Sequence, residues 1–442
     1  MNDHYHELYS SYQWLIPTQF NIAQACLYQW ALNPQTARQT ALIVHDAQQG
    51  STYWSFLRLA KLSNQLANGL LKIGIEPGDR VAIAMGQRPE TIAAYMASLA
   101  VGAVVLPLAA SWSAKQIEQC LLDARCRLAI TDLRAGPDVL EAQKNYTQLS
   151  HIIGLGFQHE RVLPWRTLLI RQSDELSPIK TNNDTPALLL YNVDTSNQSL
   201  LGAVLPHKAL IGNLPGFVAS QNWFAQQTDC FWTSADWCSL PGLLSGVLPA
   251  LYFGKPVVTT LGQPEAKQWF SFINEEKISN VYLSPDFLDL LLQQAKTNQV
   301  ASTKLRAIAI EAGHQQIETF EWCQQNFGFA PNPVVGQNEI NQFLVASSAK
   351  WGSLATSWGR PVPGHQVAVL NNNFEPCQIG QSGVLAVNRV DATGYPNPAL
   401  FLSYWADATE QDARYKGSWF LTDSFGTMDD QGFFYPQNNP KN

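Results

Sequence analysis

The stretch between residues 59 and 131 constrains the fold most, because short apolar segments alternate there with one-faced helical patterns. Leucine and isoleucine recur at spacings of three and four from Leu59 to Ile73, which predicts a helix that ends near Gly74. The apolar run Arg80–Met85 predicts a buried strand. The patterns that follow predict helices at 89–103 and 114–124 and strands at 104–106 and 128–131. This alternation indicates a parallel sheet covered by helices.

The same rhythm restarts after a polar stretch at 171–186, which predicts a connection between subdomains. Beyond it the patterns predict strands at 187–191, 256–260, 281–284 and 305–309, and helices at 207–217, 242–252 and 285–296. After Trp351 short apolar segments are separated by Gly, Pro and Asn turns, which is typical of β structure. We therefore expect an α/β fold of two helix-covered, mostly parallel sheets plus a small β-rich subdomain, divided into 1–185, 186–350 and 351–442.

Composition and charge exclude several classes of protein. Of the 442 residues 46% are apolar and the formal net charge is −7, so no nucleic-acid binding is expected, because neutralising phosphates requires a basic face. The seven cysteines lack CxxC spacing, which favours free thiols in a reducing cytosol. The apolar run Leu99–Ala110 is too short to span a bilayer, and the polar N-terminus has no signal-peptide pattern. The expectation is a cytoplasmic protein without a membrane span.

The segment 188–207 carries the first candidate binding site. A strand, a polar loop and then a helix are the usual context of a phosphate cradle, and Thr195 and Ser196 could donate hydroxyl hydrogen bonds there. The loop contains no glycine, proline or lysine between Tyr191 and Gly202, and Asp194 places a negative charge where phosphate oxygens would lie. A solvated turn is therefore the competing interpretation.

Four further segments, together with this loop, resemble motifs of the adenylate-forming superfamily, in particular its AMP-forming acetyl- and medium-chain acyl-CoA synthetases. The resemblance covers nearly the whole chain and is carried by the loop 191–207 and by 231–237, 305–314, 334–341 and 417–426, where the sequence reads FWTSADW, LRAIAIEAGH, VVGQNEIN and GSWFLTDSFG. It implies the fold of the large domain of these enzymes. The hinge and mobile C-terminal domain that follow this motif in the family are expected to be absent.

The segment VVGQNEIN is the best match to the active site of the family. Gly336 and Gln337 match the family pattern, and the resemblance makes Glu339 a candidate ligand of the Mg²⁺ on ATP. Asn338 replaces a threonine that faces the phosphates, and Val335 replaces an aromatic residue that packs on adenine. In the family, this segment follows a strand and faces both AMP and the acyl group.

The other three segments supply weaker candidates. Gly313 matches a glycine beneath adenine, whereas the neighbouring His314 has no second ligand at metal-binding spacing. Asp423 could stand in for the family's ribose-binding aspartate after a one-residue shift, the alternative being a surface turn. Trp232, Asp236 and Trp237 are substrate-pocket candidates, although tryptophans in such a segment more often pack in the core than contact substrate.

The family joins a carboxylic acid to CoA through an acyl-AMP intermediate, with ATP and Mg²⁺. Two alignments of the loop put Leu200 or Leu201 where the family has a lysine. The resemblance thus implies a catalytically impaired homologue that binds a small carboxylic acid, an acyl, adenylate or CoA-like ligand, or a partner protein. Two alternatives stay open. One is an active acid–CoA ligase whose C-terminal domain is a separate protein, and the other is a remnant reading frame without a selected role.

Overall fold

The computed structural model describes residues 3–194, 199–260, 264–294, 304–313, 315–406 and 408–438. Within them three sheets form the framework of the chain. The α-helices are Tyr5–Ser11, Gln29–Leu32, Phe56–Lys72, Pro89–Ala100, Ala114–Ala124, Gly136–Asn145, Trp165–Leu169, Ala209–Ser220, Leu248–Tyr252, Trp269–Glu275, Pro285–Gln294, Ile317–Phe327 and Ala408–Arg414. Single π-helical turns at Gln24–Tyr28 and Leu243–Val247 and a 3₁₀ turn at Ala266–Gln268 precede three of them.

The first sheet has eight strands and is parallel over most of its width. In spatial order its strands are Ser403–Tyr404, Ser199–Pro206, Pro186–Asp194, Val104–Pro107, Arg80–Ala84, Leu128–Asp132, His151–Leu155 and Leu163–Pro164. The first three are joined by antiparallel pairing and the rest run parallel. The strand over 80–84 is buried on both faces, as its apolar sequence predicts.

The second sheet has nine strands and a parallel centre. Its order is Arg360–Pro361, Asn341–Val345, Asn332–Gln337, Ala307–Glu311, Asn280–Leu283, Phe231–Thr233, Val257–Thr260, Thr40–His45 and Thr52–Ser55. The two strands at one end and the single strand at the other pair antiparallel. A large apolar core takes side chains from both sheets and the helices between them, including Phe56, Phe217 and Phe343. Burying such aromatic side chains contributes about 1.5–3 kcal/mol each.

The third sheet is small and antiparallel, and follows residue 351 as expected. It consists of Val367–Leu370, Gly383–Asn388, Trp419–Met428 and Tyr415–Lys416, with Phe434–Pro436 paired to the long strand. The expected fold class is confirmed. The division at residues 185 and 350 stays a prediction, and the sheets take strands from both sides of residue 185. No helix in the described ranges is both long and apolar enough to cross a membrane.

One local prediction is wrong. The segment after residue 186 does not run from strand through loop into helix, because Ser199–Pro206 turns back along Pro186–Asp194 as an antiparallel partner. The helix Ala209–Ser220 therefore begins at the far end of this hairpin from its tip. Among the described residues the two strands pair as far as Asp194 and Ser199. Thr195 and Ser196 lie outside the described residues.

Candidate functional site

The hairpin formed by Asn332–Gln337 and Asn341–Val345 holds most of the candidate residues. Gly336 lies at a register shift in this pairing, and a Cβ atom there would lie 2.8 Å from the carbonyl oxygen of Asn341. Only glycine fits that close approach. Asn341 has φ +63° and donates from Nδ2 to the carbonyl oxygens of Ala209 (3.3 Å) and Ala399 (3.2 Å). Asn341 thus anchors the turn rather than facing a ligand.

Glu339 lies in the turn of this hairpin and is 4% exposed. The hydroxyl of Tyr404 donates to its Oε1 at 2.8 Å, and Nε2 of Gln337 donates to its Oε2 at 3.1 Å. Burial raises the pKa of this carboxyl above its usual value, although the bond from Tyr404 opposes the shift. Both carboxylate oxygens are therefore engaged inside the protein.

Glu339 is the carboxylate that this place could offer to a magnesium ion. Mg²⁺ on a nucleotide needs only one or two protein carboxylates, because phosphates and waters supply its other oxygen ligands. The described part of the chain contains no group of three His, Cys, Asp or Glu side chains that could hold a metal ion. His314 lies outside that part. Glu339 is left as a single, buried and already hydrogen-bonded carboxylate.

Asn338 connects the hairpin turn to the first sheet. Its Nδ2 donates to Oδ1 of Asn192 at 2.8 Å, so the turn lies against the end of the strand Pro186–Asp194. Leu200 and Leu201 on the returning strand are half-buried and pack against two different apolar clusters. In either alignment, a leucine that packs against an apolar cluster stands where the family has its lysine.

Asp423 lies on the strand Trp419–Met428 rather than in a surface turn. Its neighbour Thr422 is buried and donates from Oγ1 to the carbonyl oxygen of Leu385 at 2.9 Å, while Asp423 is exposed, as the two-residue period of a strand requires. Arg414 donates from Nη1 to Oδ1 of Asp423 and from Nε to Oε1 of Glu410 at 2.9 Å. The carboxylate that could stand in for the family's ribose-binding aspartate therefore forms an ion pair with Arg414.

Gly313 lies beside the hairpin. The strand Ala307–Glu311 pairs parallel with Asn332–Gln337. Gly313 follows the carboxyl end of the first strand, and Gly336 lies near the carboxyl end of the second. Gly313 is exposed, has φ +112°, and donates from its backbone N to Oε1 of Gln315. The geometry therefore brings together Gly313, Gly336, Gln337 and Glu339 as the resemblance implies. Val335 is buried in the strand core, where Leu344 lies opposite.

A separate cleft of about 650 Å³ lies where the carboxyl ends of the two large sheets face each other. This is the edge at which α/β proteins commonly bind ligands. Its walls include a polar set from both sheets, namely Gln87, Arg88, Ser111, Asp132, Arg134, Ser234, Asp236, Thr260, Ser284 and Asp286. Gln87 donates from Nε2 to the carbonyl oxygen of Ala235 at 2.8 Å and so ties the two walls together.

The three candidates from the segment 231–237 occupy different places. Asp236 lines the cleft, and burial raises the pKa of its carboxyl even though its Oδ1 accepts from the backbone N of Cys238 at 3.2 Å. Trp232 touches the cleft but packs edge-on against Phe272 and Phe287. Trp237 is 1% exposed and lies in the core, where its carbonyl oxygen accepts from the hydroxyl of Tyr95 at 3.0 Å.

Residues that sequence reasoning missed complete the polar group around Glu339. Tyr404 lies outside the segments that resemble the family's motifs, and no local pattern marks Arg414 as a partner of Asp423. The first contact joins residues 65 positions apart, and the second joins the helix Ala408–Arg414 to the strand Trp419–Met428. A single sequence offers no signal for such contacts.

Comparison with known proteins gives a consistent picture. A family model described as AMP-binding enzyme matches residues 29–394. An uncharacterised acyl-CoA ligase of Bacillus subtilis is 27% identical over 90% of this chain and 73% of its own length. The acetyl-coenzyme A synthetase of Nitrosomonas europaea is 26% identical over 94% of this chain and 65% of its own length. The chain thus spans about two thirds of these relatives.

Solved structures agree on the fold. An acyl-CoA synthetase of Brucella canis superposes with a TM-score of 0.89 at 20% identity, covering 100% of this chain and 80% of that one. The anthranilate CoA ligase AuaEII in complex with anthranoyl-AMP superposes with a TM-score of 0.85 at 19% identity, covering 95% and 78%. At this identity the likeness concerns the fold.

Proposed function

The chain belongs to the AMP-binding enzyme family, and from that premise we propose that it is an acyl-CoA synthetase homologue with impaired adenylation that binds a small carboxylic acid or acyl ligand. The observation that carries this proposal is the internal use of two carboxylates. Glu339 is bonded to Tyr404 and Gln337, and Asp423 is held by Arg414. The carboxylate that the family would offer to Mg²⁺ is therefore engaged by protein partners, and the carboxylate that could stand in for the ribose acceptor forms an exposed ion pair with Arg414.

The replacement of the family's loop lysine by an apolar residue supports the same conclusion. Adenylation develops negative charge on phosphate oxygens, and cations or oriented donors must neutralise it. The family's loop lysine corresponds to Leu200 or Leu201, which pack in apolar clusters. Losing one electrostatic stabiliser of this kind commonly lowers kcat by about 10²–10³. The hydrogen bonds that occupy both carboxylate oxygens of Glu339 would add to that loss.

Ligand binding is supported by the cleft between the sheets. Its volume of about 650 Å³ is in the range of small-molecule sites, and both Arg88 and Arg134 line it. Arg88 is paired with Glu90 at 3.2 Å and with Asp132 at 3.7 Å. Attraction of the anionic groups of an acyl or CoA-like ligand would therefore come chiefly from Arg134. The names of the relatives associate them with acyl-CoA and acetyl-CoA chemistry. Of the properties that these names imply, we propose only ligand binding for this chain.

An active acid–CoA ligase completed by a separate C-terminal domain is the second candidate. It is favoured by the arrangement of Gly313, Gly336 and Gln337 near the ends of adjacent strands, where the resemblance places part of the nucleotide site. In that case ATP would approach Glu339 only after its bond to Tyr404 had been broken. The two candidates predict different responses to nucleotide.

Isothermal titration calorimetry with ATP and Mg²⁺, followed by pyrophosphate release over short and medium carboxylic acids, separates them. We expect no heat at millimolar ATP and no pyrophosphate, but measurable binding of at least one acid. Micromolar ATP binding that weakens in Glu339→Ala would contradict impaired adenylation and would favour the second candidate. The matched control is Glu410→Ala, which removes an acidic side chain that pairs with Arg414 at 2.9 Å.

A further inference from the structure

The cleft between the two large sheets has an unpaired cation on one of its walls. On the side of the first sheet, Arg88 and Asp132 neutralise each other at 3.7 Å. Arg134 lies next to them and is exposed. Its backbone N donates to Oδ1 of Asp132 at 3.0 Å, but its guanidinium forms no ion pair or hydrogen bond with any residue that the structure describes. This wall therefore offers one free positive charge.

The opposite wall, on the side of the second sheet, holds two carboxylates. Asp236 follows the strand Phe231–Thr233 and is half-buried, and its Oδ1 accepts from the backbone N of Cys238 at 3.2 Å. Asp286 is exposed in the first turn of the helix Pro285–Gln294. Within the described ranges neither carboxylate forms an ion pair. The wall that faces Arg134 is therefore negative.

Hydrogen bonds between the walls fix their separation. Nε2 of Gln87 donates to the carbonyl oxygen of Ala235 at 2.8 Å, and the carbonyl oxygen of Gln87 accepts from Oγ1 of Thr259 at 3.1 Å. Burial raises the pKa of the Asp236 carboxyl, and the positive charge of Arg134 opposes this shift. The two charges are thus near each other without forming an ion pair. Because the walls are tied together at a fixed distance, a ligand between them can contact both charges.

We infer that the cleft binds a free amino acid with an aliphatic side chain, which places its carboxylate at Arg134 and its ammonium at Asp236. The two charges of this zwitterion match the two walls, whereas a plain acid or a plain amine matches only one of them. Phe287 and Leu290 lie three positions apart on one helix and line the same cleft, so they offer an apolar surface to the side chain. The inference rests on the proposed function, because amino acids are one class of small carboxylic acid.

Calorimetry of the full chain at neutral pH against three compounds with the same branched side chain provides the test. The probes are leucine, isocaproate, which lacks the amino group of leucine, and isoamylamine, which lacks its carboxylate. We expect leucine to bind roughly tenfold or more tightly than either analogue, because a hydrogen bond to a charged group contributes at least about that factor.

Variants assign each end of the ligand to one wall. Asp236→Asn keeps an acceptor for the backbone N of Cys238 and should weaken the binding of leucine and isoamylamine without weakening that of isocaproate. Arg134→Gln should weaken the binding of leucine and isocaproate without weakening that of isoamylamine. The matched controls are Glu141→Gln and Arg127→Gln, which remove the same charges from ion pairs outside the cleft. Both controls should retain all three affinities.

The outcomes separate the inference from the proposed function. Isocaproate that binds as tightly as leucine overturns the inference, while the binding of a small carboxylic acid stands. Leucine affinity that stays unchanged in both cleft variants also overturns it. Absence of leucine binding overturns the inference as well, and the proposed function fails with it only if the short and medium carboxylic acids do not bind either. The three compounds on the unaltered chain decide the question even if a variant does not fold.

Discussion

The hydroxyl of Tyr404 donates a 2.8 Å hydrogen bond to Oε1 of Glu339, and this contact joins the turn of the Asn332–Val345 hairpin to the short edge strand Ser403–Tyr404 of the first sheet. The backbone N of Phe401 donates to the carbonyl oxygen of Glu339 at 2.7 Å and reinforces the same junction. A carboxylate that the family resemblance assigns to a metal therefore serves here as a link between two sheets.

Tyr404→Phe should destabilise the fold. The substitution keeps the ring but leaves one oxygen of a buried carboxylate without a donor, which costs about 1–3 kcal/mol. Urea denaturation at neutral pH would measure this as a lower midpoint with an unchanged slope. Tyr435→Phe is the control, because its hydroxyl bonds the partly exposed Asp429 at 3.0 Å and should matter less. Equal effects in both variants would contradict a special role for the Tyr404 contact.

Glu339 should make stability fall as pH rises. Burial raises its folded-state pKa above the usual 4.5, so between these two pKa values the folded chain holds a proton that the unfolded chain has lost. The contribution is therefore complete below pH 4.5 and declines as pH rises through the folded-state pKa. Glu339→Gln should remove this decline. Comparing the unfolding free energies of both proteins from pH 4 to 7 checks the sign, and a difference that does not change with pH would refute it.

His207 and His365 should have the opposite effect. Burial lowers the pKa of each from 6.5 to about 4. Below pH 6.5 these two side chains are protonated in the unfolded chain but stay neutral in the folded chain. The free energy of unfolding therefore falls as pH decreases from 6.5 towards about 4, by up to about 1.4 kcal/mol per pH unit for each histidine. Nδ1 of His207 accepts from the backbone N of Ile22 at 3.1 Å, which explains why it must stay neutral. Denaturation of His207→Asn should show a shallower loss, and a slope equal to that of the unaltered chain would disprove the assignment.

Gly336→Ala should disrupt the hairpin that carries the candidate site. Its Cβ would lie 2.8 Å from the carbonyl oxygen of Asn341, a backbone atom that cannot move without shifting the turn. Overpacking of this kind costs about 1–3 kcal/mol. Gly86→Ala is the control, since a Cβ there meets its nearest neighbour, Oδ2 of Asp132, at an ordinary 3.5 Å. Thermal unfolding of both variants should show a clear decrease for Gly336→Ala alone.

Much of the fold could be predicted from the sequence because its signals are local. The three- and four-residue spacing over 59–73 corresponds to the helix Phe56–Lys72, and the predicted helix 114–124 matches Ala114–Ala124. The hairpin at 186–206 was missed because its polar tip resembles a loop that leads into a helix. What decides between the two is the pairing of Leu189 with Val204, a contact across the chain that no local pattern reports.

The sequence by itself determined the alternation of strands and helices, the family and the positions of Gly336, Gln337 and Glu339, because periodicity and motif spacing are properties of neighbouring residues. Only the tertiary structure decided what these residues contact. Glu339 meets Tyr404 across 65 positions, and Arg134 and Asp236 line one cleft from different sheets. Hydrogen bonding and burial depend on such distant approaches, so the chemical state of the site follows from packing rather than from its motif.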